Sequence, residues 1–426
     1  MYRHCAAPVA TDILVPMLNR GDRTISRRVV LGGAGGAAAG VLLGPAGIGH
    51  AVPRSVDQDL IGLRRDIHRH PELAGQEVRT SALVAQQLRA AGLDVTTGVG
   101  GHGVVGVLTG ARRGRTVAYR ADMDAVSPQE QIEGGTTTAH LCGHDLHTTI
   151  GVGIARTLAR QRRRLAGRIV FVFQPGEESL AGARAMLGDG VFDEVRPAEI
   201  HALHCGPFPV GTFATTAGFG LPGQDRGTVT LTGPDAAAKA AALAGDIAAL
   251  GTVARPVTSA DLEHLVGELE RPGTPLSRFV FMQAQPAGTG VRFAYRCWPQ
   301  DRHAEVRDAI RRLAAWYGAD AVTFPAEPFP AMVCPPREGQ ALHRYLRHTV
   351  GDSRTLPTYA AVPFSGEDFA LFLNRMPGTY TYLGVRRPRS DIKTGYPHFG
   401  AFDPDERAIG IGVRAMAGWL THRGQG

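Results

Sequence analysis

The chain has 426 residues, more than one hydrophobic core usually organises, so at least two domains are expected. With 43% hydrophobic and 20% charged residues it reads as globular, which excludes a disordered or fibrous chain. The formal charge of +7 comes almost entirely from scattered arginine, Lys239 and Lys393 being the only lysines, and no recognition motif accompanies it, so the charge does not argue for nucleic-acid binding.

Residues 1–51 read as an export signal. Arg27 and Arg28 stand directly before a Gly/Ala-rich apolar run, the twin-arginine arrangement, and Gly49-His50-Ala51 suits a small-residue cleavage site. Frequent glycine and Pro45 argue against a membrane anchor. Met17 is an alternative start, because residues 1–16 add nothing a signal needs. Cleavage after Ala51 removes five Arg and two Asp, lowering the formal charge from +7 to +4. Cys142, Cys205, Cys297 and Cys334 are too dispersed for a disulfide framework.

The mature chain opens with helical spacing at Leu60, Leu63 and Ile67, closed by Pro71, and a second helix ending at Gly92. The β-rich runs GVVGVLTG, RTVAYRAD, GRIVFVFQP and EIHALHCG then alternate with helical patterns, predicting an α/β domain with a mostly parallel sheet. From Gln224 to about Pro328 the order becomes β-α-β-β-α-β, the ferredoxin-like split motif, with an extra helix, SADLEHLVGELE, after the first. Residues 52–223 and 329–426 are therefore expected to form one catalytic α/β domain, and 224–328 an inserted α+β lid.

Chemistry-bearing side chains gather where predicted strands stop. HLCGHDLH holds Cys142, His144, Asp145 and His147; RADMDAV holds Asp122 and Asp124; FQPGEES holds Glu177 and Glu178; IHALHCG holds His201 and His204; GYPHFG holds His398. Singly, each has an ordinary role: a lone histidine is usually hydrogen-bonded structure, a Glu pair a solvated surface, a lone cysteine a small buried hydrophobe. Jointly, Cys142, His144, Glu178, His204 and His398 make a ligand set for two divalent metals. Thiolate, imidazole and carboxylate suit zinc, and the nitrogen and oxygen donors also suit manganese, cobalt or nickel. Neighbours leaving a strand point in different directions, so Glu178 can ligate while Glu177 faces a water. No G-x-S-x-G serine device is present, and SGEDF at Ser365–Phe369 is not one.

RRDIHRHPELAGQEVRT, YRADMDAV, HLCGHDLHT, FVFQPGEES, ALHCGPFPVGT, FSGEDFA and PHFGAFDPDE resemble, in order, the amidohydrolase branch of the aminoacylase/carboxypeptidase metallopeptidase superfamily. That branch includes hippurate hydrolases, N-acyl-amino-acid amidohydrolases and plant indoleacetyl-amino-acid hydrolases. The resemblance implies a phosphorylase/hydrolase-like catalytic domain with a lid/dimerisation domain, and hydrolysis of an N-acyl amino acid or small peptide. It implies two metal ions on Cys142, His144, Glu178, His204 and His398, with Glu177 as general base and Asp122, Asp124, Asp145 and His147 orienting the ligands. It also allows a homodimer.

The lid departs from the pattern. Relatives carry a GKGGHAA-like stretch whose histidine polarises the scissile carbonyl; this chain has LTGPDAAAKAA, with Asp235 and no histidine. PAGTGVRFAYRC replaces an NVIP-like segment, leaving Arg296 for a substrate carboxylate. Two other function classes therefore stay open: a catalytically impaired relative that keeps its metals for binding or structure, and a basic surface binder, marked by steep salt dependence. Export is testable from the sequence alone. Replacing Arg27 and Arg28 by Lys is expected to leave uncleaved precursor in the cytoplasm, seen by fractionation and immunoblotting; normal export of that variant removes the twin-arginine assignment.

Overall fold

The computed structural model describes residues 56–425; the expected export signal lies outside the described residues. Helices α1 (Val56–His68) and α2 (Val78–Ala90) lead into strands β1 (Asp94–Val99), β2 (Gly103–Thr109) and β3 (Arg112–Asp122). Then come α3 (His144–Arg160), β4 (Ala166–Gln174), α4 (Gly182–Gly188), β5 (Ile200–Pro209) and β6 (Phe213–Thr215). After β7 (Gly220–Leu221), the lid region contains β8 (Gly223–Thr230), α5 (Ala236–Ala248), α6 (Ser259–Leu269), β9 (Phe279–Ala287), β10 (Gly290–Trp298), α7 (Arg302–Trp316) and β11 (Ala321–Thr323). The chain returns through β12 (Met332–Val333), α8 (Pro336–Val350), β13 (Thr355–Pro357), α9 (Phe369–Leu373), β14 (Gly378–Arg386) and α10 (Arg407–Gly424).

The larger sheet runs β1-β2-β4-β3-β5-β14-β6-β13. Its centre, β4-β3-β5-β14, is parallel, while β1 and β2 are antiparallel additions at one side. Buried on both faces, the central strands read as near-continuous apolar runs such as Ile169–Phe173. One face packs on α1, α2, α3 and α10 through Leu60, Leu88, Ile150, Ile154, Met416 and Trp419. α3 is buried nearly all round, and Gly153 lets Leu60 and Val413 close on it, since a side chain there would meet them at 2.8 and 2.5 Å. The other face is covered by α4 and α9, with Met186, Phe369 and Phe372. β1 gave no sequence signal because it is an exposed edge, DVTTGV, without apolar alternation.

The lid sheet runs β11-β8-β10-β9, all antiparallel, the ferredoxin-like order, with α5 and α7 packed on it. The extra helix does not stay with that sheet. A Thr258 capping box starts α6, and its apolar side spreads over the catalytic domain: Leu262 and Val266 join the cluster of Ile392 and Phe399, and Leu265 and Leu269 pack with Ala360. Polar contacts fasten it, Ser259 Oγ donating to Asp391 at 2.7 Å and the Tyr359 amide to the Leu269 carbonyl at 2.8 Å.

His201 and His204 lie on one strand at odd separation, so they face opposite sides of the sheet. His201 packs edge-on against Trp419 at 5.5 Å and bonds Thr379 Oγ1 at 2.8 Å. Burial, then Arg423 and Arg115, hold it neutral to about pH 3. The unfolded chain takes up this proton near pH 6.5, so the stability contributed is complete above pH 6.5 and drains as pH falls towards 3, at about 1.4 kcal/mol per pH unit. In a His201→Asn protein, denaturation midpoints are expected to fall less steeply between pH 6.5 and 4 than in the parent. Parallel pH profiles would refute this linkage.

Candidate metal centre

The carboxyl ends of three adjacent parallel strands deliver most of the site. β3 ends at Asp122, with Asp124 just beyond; β4 runs into a turn carrying Glu177 and Glu178; β5 bears His204. Cys142 and His144 flank Gly143, which enters α3 at φ +88. Any other residue there would be strained and its Cβ would sit 2.7 Å from Cys205 Sγ, so glycine lets the cysteine and the helix's first residue turn into one space. His398 arrives from the return segment with φ +70, a left-handed conformation uncommon for any residue other than glycine. It is held by its amide on the Leu141 carbonyl and its carbonyl on the Ile132 amide, both at 2.8 Å.

The three histidines share one device. His144 Nδ1 donates to the Asp124 carbonyl at 2.9 Å, His204 Nδ1 to the Cys205 carbonyl at 2.8 Å, and His398 Nδ1 to the Glu130 carbonyl at 3.2 Å. A carbonyl only accepts, so the proton sits on Nδ1 and each Nε2 lone pair is left for a cation. His144 Nε2 and Glu178 Oε1 are buried without a hydrogen-bond partner. Bonds of about 2.0–2.3 Å at tetrahedral angles set ligand atoms about 3.3–3.8 Å apart. Here His204 Nε2 lies 3.5 Å from Cys142 Sγ, His398 Nε2 3.4 Å from Glu178 Oε2, and His144 Nε2 3.8 Å from Glu178 Oε1. The donor chemistry, the spacing and the orphaned atoms fit divalent cations.

Electrostatics point the same way. Asp122, Asp124, Glu177, Glu367 and Asp368 are all buried, and Glu178 nearly so, against one buried guanidinium, that of Arg120. Burial pulls His144 down, but Asp122 and Asp124 more than offset this and raise it to about 10. Burial, then Glu178 and Glu177, push the Cys142 thiol well above its usual range. Burial, then Glu367 and Glu178, raise Glu177 far above an ordinary carboxylate. The cluster therefore holds extra protons where cations would otherwise balance its charge.

The supporting residues divide. Asp124 Oδ1 backs His144 at 3.1 Å and Oδ2 takes the Glu178 amide at 2.8 Å, so it sets two members of the cluster together. His147 is fully spent, Nδ1 on Asp122 Oδ1 at 2.6 Å and Nε2 on the Cys205 amide at 2.8 Å, which leaves it no lone pair for a metal. Asp145 turns away, pairing with Arg64 and His68, each at 2.8 Å, and ties α1 to α3. Arg296, on the lid, lines the same cavity as Cys142, Glu177, Glu178, His204 and His398.

Sequence reasoning passed over Arg120, Glu367 and Asp368. Arg120 Nη2 bonds Glu367 at 2.9 Å, its Nε bonds Gln174 at 2.9 Å, and Asp368 takes the Gln174 side chain at 2.6 Å and the Ala183 amide at 2.9 Å. The available signal was an arginine inside the otherwise apolar run TVAYRAD, which a buried strand tolerates only when the charge is paired.

The cavity measures about 650 Å³ and is walled by Phe208, Leu262, Phe364, Tyr382 and Tyr396. Comparison with known proteins places this arrangement. An N-acetyldiaminopimelate deacetylase of Enterococcus faecalis is 28% identical over 381 residues, covering 85% of this chain and 97% of that protein. An N-acetylcysteine deacetylase of Bacillus subtilis is 31% identical, covering 84% of this chain and 95% of that protein. The solved structure of a Bacillus subtilis protein described as a dinuclear metal-binding peptidase of the M20 family aligns with a TM-score of 0.64 at 26% identity, covering 87% of this chain and 99% of that one. Residues 118–422 match the model of peptidase family M20/M25/M40, and the chain belongs to that family of amide-bond hydrolases.

Proposed function

We propose that this enzyme is a two-metal amidohydrolase that cleaves the amide bond of N-acyl amino acids or small peptides. The observation that carries the reading is the convergence of Cys142, His144, Glu178, His204 and His398, with three Nε2 lone pairs turned inward, beside a buried Glu177 whose carboxylate accepts no hydrogen bond among the described residues. Zinc or manganese suits the donors best, with cobalt or nickel as alternatives. When bound, a pair of divalent cations supplies Lewis acidity and lowers the pKa of a water towards ~7.

The chain's own residues do the rest. Glu177 lies 3.8 Å from His144 Nε2 and faces the cavity, so its carboxylate takes the proton of the attacking water and returns it to the leaving nitrogen. Its raised proton affinity suits a group that takes a proton and gives it back. Asp124 fixes the His144 tautomer, and Asp122 holds His147, which in turn holds the Cys205 amide beside His204. Arg296 is placed to receive the substrate carboxylate from the lid. The Arg27-Arg28 pattern supports action outside the cytoplasm. One observation favours the second reading, an impaired relative: the lid's polar groups at the cavity are Gln224, Gln283, Arg255 and Arg296, with no histidine.

Hydrolysis of hippurate and of N-acetyl amino acids, with chelator and with added metal, separates the two. Turnover lost with chelator and restored by metal is the expected result, whereas a fully metallated protein that turns over none of them favours the impaired relative. Glu177→Gln is expected to lower kcat by about 10²–10⁴-fold with metal content unchanged by elemental analysis; a wild-type rate removes Glu177 as base. Cys142→Ala is expected to bind fewer than the parent's complement of metal ions. Full occupancy in that variant takes Cys142 out of the ligand set.

A further inference from the structure

We propose that Arg255 joins Arg296 in an anion subsite that selects substrates whose departing amino acid carries two carboxylates, as in N-acyl aspartate or glutamate. The inference deepens the amidohydrolase reading and rests on it. Arg296 leaves β10 at the position paired with Phe281 of β9, and the Arg255 guanidinium lies over the Phe281 ring at 5.5 Å. The two cations are thereby brought to the same patch of the lid, and both line the cavity that holds the metal cluster. Neither guanidinium makes an ion pair or hydrogen bond among the described residues, and Arg296 Nε is buried with no partner at all.

Unpaired guanidinia side by side in a cleft walled by Phe208, Leu262, Phe364 and Tyr396 repel each other and call for negative charge. A single carboxylate compensates one of them. A dicarboxylate compensates both, with the α-carboxylate on half-buried Arg296 and the side-chain carboxylate on Arg255 at the exposed mouth. Arg255 is well placed to be selective because its segment is anchored at both ends. Behind it, the Thr252 and Val253 amides bond the Val280 carbonyl of the lid at 2.8 and 3.3 Å. Ahead of it, α6 is fastened to the catalytic domain through Ser259 on Asp391 and Glu263 on Arg386. A charge carried on the strap between the two domains meets whatever lies in the cleft.

The test is calorimetric titration of metal-loaded Glu177→Gln protein with N-acetyl-L-aspartate, N-acetyl-L-glutamate and N-acetyl-L-alanine, at low and high salt. The dicarboxylates are expected to bind roughly tenfold tighter than N-acetyl-alanine, with the margin shrinking at high salt. Adding Arg255→Gln is expected to reduce the margin to less than about threefold, whereas Arg255→Lys, which keeps the charge, falls between the two. No preference in the parent, a preference that survives Arg255→Gln, or no binding by any of the three overturns the subsite. Hydrolysis by the wild-type enzyme tells its failure from that of the underlying reading. Equal turnover of the alanine and glutamate substrates sinks the subsite alone. A dicarboxylate preference in binding, with no N-acyl amino acid hydrolysed, sinks the amidohydrolase reading alone.

Discussion

Arg120 is the constraint on which the site depends. It stands at the end of the central strand, fully enclosed, within reach of Asp122, Glu367 and Asp368. Burial opposes its charge, yet the surrounding carboxylates hold it firmly protonated. A lone guanidinium taken out of water costs several kcal/mol, so it persists only because those carboxylates surround it. Against the effect of its burial, Asp122 is in turn held well below the usual carboxylate range by Arg120, and through these carboxylates Arg120 reaches both halves of the catalytic domain: Glu367 and Asp368 start α9, whereas Asp122 belongs to β3 and grips His147 on α3.

This arrangement explains why the neighbourhood is short of positive charge. One guanidinium cannot balance Asp122, Asp124, Glu177, Glu178, Glu367 and Asp368 together. Protons cover part of the difference: His144 is driven to about 10, Asp368 to about 7, and Glu177 upward. Divalent cations relieve the same deficit more fully, since each brings two charges and binds Nε2 and Sγ atoms that otherwise lack a good partner. The carboxylate excess, as much as the spacing of the donor atoms, thus makes the cluster fit divalent cations.

Much of this was legible in the sequence because the clustered residues sit where strands stop, and strands with alternating or continuous apolar runs announce themselves. RTVAYRAD, GRIVFVFQP and EIHALHCG each put a carboxylate or imidazole at the edge where the cluster forms, and HLCGHDLH put two of the proposed ligands across a glycine. What stayed hidden were pairings across long stretches of chain. Asp145 looks equivalent to its neighbours in HLCGHDLH, but it answers to Arg64 and His68 at the far end of α1. Glu367 and Asp368 look like surface acids until Arg120, more than two hundred residues earlier, is folded against them. α6 reads as another lid helix because its amphipathic period says only that it buries one side, not which domain receives that side.

The division of labour between Glu177 and Glu178 follows from the same geometry. Both leave the β4 turn, but the Glu178 amide is tied to Asp124, which turns its carboxylate to His144 and His398 at 3.8 and 3.4 Å. Glu177 lies equally near His144 Nε2, at 3.8 Å, but has Glu367, Asp368 and the cavity on its other side in place of a second histidine. Glu178, set between two histidines, is the one proposed to ligate, where bound cations would favour its ionised form. Burial first, and then Glu367 and Glu178, which resist a further negative charge, raise the proton affinity of Glu177. In the proposed mechanism, two identical side chains, adjacent in sequence, take the parts of holder and proton carrier according to the groups that surround each one.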